Sequence, residues 1–499
     1  MENEPKTPYP FSYHIFAWPF QIHKKPGNDM GTPERYVEEL LAKFPSGGWR
    51  EVKSSEVVAT GADGQEELMN RFMLWQYLSV AGRDIYRGVN PLPDSVRERR
   101  DICRILRIGT EQRGGIGKYT IAYRKKSPAG KITEQKSYEL RVEKVELHIY
   151  AFGCGILFLY TENWEYEGIR DIQRIADYGR RIALPFLPRE EDGNILTADV
   201  LKLEIPETLH SAKSDHFFSR LDFRILEKQY RERATEPRTG FLHDLVETPS
   251  AHIVPFTDDR MFEVELIRNG ALSTQIAQEW KDPERNAELK KTLYSLIYVD
   301  DGDPTCQDGS MRNRLLEEAI DPRWADYGTI HAATEFSLLC VTSDYPGIYE
   351  SVIRPFIVEY PYLVSLALAQ RTGIAGHSEA AGHLAGEKNS LFKWRGRLIQ
   401  LQKDFNVFRN QIMIPEVTNQ DQGMEIYGLL RRQTRVQEQE ELLDDQLEDL
   451  FDVADANFQT ALTWIALFFA VLSPFVEGFV APLMDKWGTA VFQFFGLLP

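Results

Sequence analysis

Cysteine is scarce: Cys103, Cys154, Cys306 and Cys340 are scattered through 499 residues with no CxxC pair. That pattern suits free buried thiols in a reducing compartment better than a disulfide framework or a zinc site. Basic charge is also short, with 58 Lys and Arg against 75 Asp and Glu and a formal net charge of -17. Phosphate backbones are bound by basic faces, so direct nucleic-acid binding is not expected. The opening MENEPKTPYPFSYHIF carries two early glutamates and no apolar run long enough for a signal peptide. The bulk of the chain is therefore expected in the cytosol. No HExxH, Ser/His/Asp or kinase signature is recognisable, and no enzyme activity is expected.

The composition itself, 43% hydrophobic and 27% charged, is that of an ordinary globular protein, and the length suits two or three domains. YHIFAWPFQI (13–22), LRIGTEQ and KYTIAYRKK read as strands, the last two as a hairpin around RGGIG. VELHIYAFGCGILFLYT (145–161) reads as one buried central strand, and EGIRDIQRIADYGRRI (167–182) as a helix from its 3 to 4 residue apolar period. SAHIVPF and MFEVELI suggest further strands, EFSLLCVT (335–342) another strand or the start of a buried helix, and YPYLVSLALAQRTG (360–373) a buried helix ended by glycine. The expected organisation is an α+β cytosolic domain over 1–235, a second α/β cytosolic domain over 236–387, a long helical stalk over 388–457 and a transmembrane hairpin over 458–499.

The stalk rests on a breaker-free stretch from Met424 to Ser473 in which Leu429, Val436, Leu443, Leu450 and Asn457 recur every seven residues. Leu447 and Ala454 complete an a/d seam, weakened earlier by Gln433 and Glu440. Between Val436 and Ala456 lie nine acids and no Lys or Arg. Beyond them comes ALTWIALFFAVLSPFVEGFVAPLM (461–484), whose one charge is Glu477. It exceeds the ~20 residues needed to cross a bilayer. Three readings stand: one span, a buried helix of a soluble domain, or a hairpin that turns at SPFVEGF after Pro474 and returns from Phe479. The hairpin is preferred, because Pro474 breaks a helix and Glu477 at the bilayer centre costs ~2.5–3.5 kcal/mol or more.

A cytosolic α/β head, a very long helix entering the first of two C-terminal spans and a short turn resemble the CorA family of divalent-metal channels. The Gly-Met-Asn tripeptide of that family's turn is absent; SPFVEGF stands in its place, which removes the warrant for magnesium selectivity. PFTDDRMF (255–262), RWADYGTIHAATEFSLLCVT (323–342), LALAQRTGI (366–374) and YAFGCGILFLYTENWEYEGIRDIQRIADYGRRI (150–182) resemble a narrower branch, the CorA-like effectors that accompany type III CRISPR systems. The resemblance implies a homo-oligomer, by family habit a pentamer, in a bacterial or archaeal inner membrane. It also implies switching by a nucleotide messenger such as S-adenosylmethionine joined to AMP, in antiviral defence.

Such a ligand needs cations for phosphate, aromatic faces for a base and carboxylates for ribose or amines. TDDRMF offers Asp258, Asp259 and Arg260; RWADYGT offers Arg323, Trp324 and Tyr327; DYGRR offers Arg180 and Arg181. For each, a structural ion pair or a packing aromatic is the plainer reading. For a conduit, Asn457, Thr460 and Thr463 offer polar lining, Phe468, Val471 and Leu472 a hydrophobic constriction, and Glu477 a ring of charge at the outer mouth. Helix–helix packing is the alternative for all but Glu477. RGGIGKYT (113–120) lacks phosphate-loop spacing and reads as a turn, and GHSEAAGH (376–383) reads as a loop rather than a metal site. A divalent cation remains possible without identified ligands. The rival functions are a constitutive divalent-cation transporter and a membrane-anchored scaffold or enzyme.

Overall fold

A computed structural model describes residues 9–25, 33–43, 48–53, 62–92, 101–109, 115–126, 131–182, 198, 200–205, 215–216, 241–256, 260–282, 285–300, 304–387 and 391–475. They form two compact units, Met1–Gly376 with Phe408–Gln439, and His377–Val407 with Glu440–Pro499.

The first unit is mixed α+β, built on one sheet. Its strands are β1 (Ser12–Lys24), β2 (Arg50–Glu51), β3 (Cys103–Ile108), β4 (Gly117–Lys126), β5 (Ile132–Tyr150), β6 (Cys154–Asn163), β7 (Val200–Glu204), β8 (Asp215–His216), β9 (Ala251–Pro255), β10 (Phe262–Arg268), β11 (Ile320–Asp321), β12 (Ile330–Ala333) and β13 (Ser337–Thr342). The order is β11-β12-β13-β10-β1-β6-β5-β4-β7-β8. Two strands are long enough to be shared. β1 gives one edge to β6 and divides the other between β10 and β9, while β5 gives one edge to β6 and divides the other between β4 and β3. β10 and β13 run parallel, and the other pairs are antiparallel. Because β1 joins strands from both sides of residue 235, the boundary expected there has no counterpart in the sheet.

Helices are α1 (Pro33–Lys43), α2 (Ala62–Tyr77), α3 (Val80–Ile85), α4 (Ile169–Gly179), α5 (Phe241–Val246), α6 (Gly270–Glu279), α7 (Ala287–Ile297), α8 (Gly309–Ala319), α9 (Arg354–Val358), α10 (Tyr360–Gly386), α11 (Leu391–Ile412), α12 (Asp421–Gln433) and α13 (Val436–Phe475). Both faces of the central strands are covered, so those strands are apolar at nearly every position instead of alternating. On one face Phe16, Trp18, Leu157 and Leu159 pack with Val37 and Leu40 of α1, Ile175 and Tyr178 of α4 and Leu242 and Leu245 of α5. A neighbouring core joins Ile172, Ile267, Leu339 and Val341 to α6, α7 and α8. On the other face Ser365 of α10 hydrogen-bonds His148 and Tyr150, each at 2.8 Å, and Glu67 of α2 meets Arg107 at 3.1 Å.

Several expectations are corrected. Residues 145–161 are two strands, not one: Gly153, at φ +86°, turns β5 into β6, a left-handed conformation that glycine adopts freely. β3 and β4 do not pair as a hairpin but lie along successive halves of β5. The helix at 360–373 is present, yet it runs on to Gly386 and takes in GHSEAAGH. Gly373 does not stop it; a Cβ there would lie 2.3 Å from Phe408 and 2.9 Å from Phe152, so the glycine permits close packing. The stretch from Met424 to Ser473 is broken at Thr434 and Arg435, the latter at φ +53°. No glycine or proline announces that break; the Thr434 hydroxyl donates back to Leu430 O at 2.7 Å instead.

In the second unit α13 continues as a helix through Pro474 to Phe475. Forty residues at ~1.5 Å each make it about 60 Å long. Its seam is used inside the chain: Leu443, Leu447 and Ala454 are buried, and Arg395 of α11 pairs with Asp455 at 3.0 Å and lies over the Phe458 ring. Among the described residues, two helical stretches, Pro346–Gly386 and Val436–Pro474, are long and apolar enough to cross a bilayer. The first is mostly buried within the protein and the second is not. The expected return helix and Glu477 lie outside the described residues.

Candidate functional site

The DYGRR stretch meets Arg260 and Met261, far away in sequence. α4 ends on the sheet because Gly179 lets it approach: a Cβ there would lie 2.7 Å from the Phe16 ring and 2.8 Å from Ile121. The chain then leaves α4 beside β10, where Arg181 bridges Arg260 and the Met261 N–H donates to Arg180 O at 2.8 Å. Arg180, Arg181 and Arg260 are thus brought together. Asp258 and Asp259 lie outside the described residues.

The three arginines have different surroundings. Arg181 donates to Asp177 through Nε at 2.9 Å, and its Nη2 lies 2.9 Å from the same oxygen, a structural pair as the plainer reading has it. Arg260 lies over Phe336, 4.8 Å from the ring centroid. Arg180 is 1% exposed; its Nη2 donates to Val299 O at 3.3 Å, beyond the end of α7. Its Nε and Nη1 find no partner among the described residues. Burial lowers its pKa to about 10.

Below Arg180 lie three ionisable groups that the motif reading missed. Glu263 and Glu265 alternate along β10 and so share a face, and His14 of β1 sits opposite Glu265. His14 Nδ1 is 2.9 Å from Glu263 Oε1 and 3.6 Å from Glu265 Oε1, and all three side chains are buried. His14 Nε2 meets Ser12 Oγ at 2.9 Å, which also accepts from Asn163 Nδ2 at 2.9 Å. Burial pushes both carboxyls well above the usual range, Glu263 further raised by Glu265, and holds His14 down at about 3, hence neutral. Glu263 Oε2 and Glu265 Oε1 are unpartnered among the described residues. A signal was present in the sequence: FEVELI places two glutamates with period two in a strand otherwise apolar.

Arg323, Trp324 and Tyr327 form a separate surface group. Arg323 pairs with Glu425 of α12 at 3.0 Å, with both side chains partly exposed, and Trp324 and Tyr327 are exposed with ring centroids 6.0 Å apart. Among the described residues none of their contacts reaches Arg180, Arg181 or Arg260. Along α13, Asn457, Thr460 and Thr463 are exposed, and the two threonine hydroxyls donate to Ala456 O and Gln459 O, each at 2.9 Å. Phe468, Val471 and Leu472 are exposed as well. Among the described residues no group of three or more His, Cys, Asp or Glu is placed to hold a metal. No known protein family, curated protein or solved structure matches this chain.

Proposed function

We propose that this chain is a ligand-switched membrane effector of the CorA-like type, assembled from several copies, that opens or disrupts a bilayer in response to a nucleotide messenger. The observation that carries the membrane part is the apolar end of α13. Between Leu462 and Leu472, Trp464, Ile465, Leu467, Phe468, Phe469 and Val471 are each 44–67% exposed and cover more than half of the helix circumference, with exposed Ala466 and Ala470 on the remaining side. Burying such a side chain is worth ~1.5–3 kcal/mol. Leaving this set in water forfeits roughly 10 kcal/mol, comparable with the net stability of a whole domain. A helix that is apolar all round belongs in lipid or inside a bundle.

The switching part rests on the sequence resemblance and on Arg260, which lies over Phe336 where the chain entering β10 meets the end of α4, a cation and an aromatic suited to phosphate and base. A ligand at that place must favour one arrangement over another by several kcal/mol to move a closed population decisively.

The test is ion and dye flux from liposomes holding the purified full-length chain, with and without S-adenosylmethionine–AMP. Flux that requires the nucleotide, and is lost in Arg260→Glu but kept in Arg323→Glu, supports the reading. Flux without nucleotide that magnesium closes would instead make the chain a constitutive cation transporter; no flux under any condition leaves a membrane-anchored scaffold or enzyme.

A further inference from the structure

We infer that Glu263 and Glu265 together bind a single proton, forming a buried proton site between β10, β1 and the end of α4. The argument begins with charge counting. Both carboxyls reach the same nitrogen, His14 Nδ1, so they are close neighbours. Two carboxylates in one buried site do not both ionise unless cations match them. The groups that face them are few. From β1 comes His14, kept neutral by burial. From β4 comes Tyr119, a neutral phenol that donates to Gly179 O at 2.7 Å. From α4 come Asp177 and Arg180; Asp177 is matched by Arg181 at 2.9 Å and lies farther, 3.9 Å, from Arg180. Arg260, in the bridge beside them, lies over Phe336. From β13 comes Ser337, opposite Glu263, whose hydroxyl donates to Ile297 O at 2.5 Å.

That leaves the one guanidinium of Arg180, enough for one carboxylate. Ionising the second carboxyl would put an uncompensated charge in the interior, at a cost of several kcal/mol. Retaining a proton removes that cost and supplies a donor. With the proton on Glu263 Oε1, the carboxyl donates to His14 Nδ1 at 2.9 Å, and His14 Nε2 donates to Ser12 Oγ at 2.9 Å. The relay ends at Asn163, which donates to the same hydroxyl. Glu265 then carries the charge, which Arg180 offsets electrostatically across the site. Because the two carboxyls share the proton, its titration belongs to the pair rather than to either residue. Unfolding at neutral pH frees it, since an exposed glutamate is ionised there.

Infrared spectroscopy of the full-length chain in detergent at pH 7 counts protonated carboxyls through their acid carbonyl stretch. The expected result has an unusual arithmetic. Glu263→Gln and Glu265→Gln each remove one carboxyl's intensity, because Arg180 then offsets the charge of the remaining carboxylate. The double variant Glu263→Gln/Glu265→Gln removes no more than either single change. A double variant that loses twice as much shows both carboxyls protonated, and no loss in any variant shows both ionised; either result overturns the inference. If the glutamine variants do not fold, a Glu359→Gln chain serves, since Glu359 is the other described carboxyl raised by burial. In that chain an acid band equal to one carboxyl supports the site, and its absence or doubling refutes it.

Discussion

At the scale of single residues, the sheet carries a second buried charge network on its other face, and that one is closed. Arg107 Nη2 lies 2.6 Å from Glu146 and its Nη1 lies 3.1 Å from Glu67, while the Tyr160 hydroxyl donates to Glu146 at 2.9 Å. Glu146 is fully buried, yet Lys144 and Arg107 hold its carboxyl well below the usual range against the opposing effect of desolvation. A lowered carboxyl contributes stability above its unfolded pKa and loses it as pH falls toward the folded value. Arg107→Met leaves Glu146 short of its closest cation. It is expected to cost about 3–5 kcal/mol at pH 7 in urea unfolding, with much of that cost gone in acid, where wild type has lost the same contribution. A cost unchanged between pH 7 and strong acid would mean that Arg107 stabilises by packing alone. The Arg107 network was not legible in the sequence, because pairing across β3, β5 and β6 depends on strand register, and no motif spacing encodes it; of the other network FEVELI showed the two glutamates but not His14 opposite them.

At the scale of elements, reading from period and punctuation works where the local signal is undivided. The helix at 167–182, the strand at 13–22 and the burial of 360–373 follow from apolar spacing and appear in place, while 335–342, left between strand and helix, is a strand. It fails where glycine serves two purposes. Gly153 turns a hairpin inside a run that reads as one strand, whereas Gly373, which reads as a stop, lies inside a helix. Arg435 is the reverse case, a left-handed residue with an ordinary side chain and no local signal. The two glycines are separable by experiment. Gly153→Ala finds open space, its nearest neighbour being Ile22 O at 3.6 Å, so it pays only for φ. The expected loss is roughly 1–2 kcal/mol by thermal or denaturant unfolding. A neutral result would mean that the turn relaxes to negative φ. The ligand-candidate stretches divide in the same way. Arg180, Arg181 and Arg260 meet because α4 and β10 are neighbours on the sheet, while Arg323 is drawn to Glu425 of α12 by tertiary packing that sequence spacing does not reveal.

At the scale of the whole molecule, β1 is paired along its length with strands that come much later. His14 and Glu263, in contact across β1 and β10, are 249 residues apart in the chain. At ~5–20 residues per second of synthesis, β1 waits roughly 12–50 s for its partner. Throughout that interval a strand carrying Phe16, Trp18 and Phe20 has an open edge, the situation in which nascent chains aggregate or require a chaperone. High contact order of this kind also slows folding after release. Ribosome-bound chains truncated before residue 250 should therefore remain protease-sensitive across β1, and protection should appear once β10 has left the exit tunnel. Early protection of β1, from β5 and β6 alone, would show that the first half of the sheet folds without waiting. The shared edge of β1 thus leaves this strand unsecured until β10 has been made, so the moment of its greatest exposure falls during birth on the ribosome.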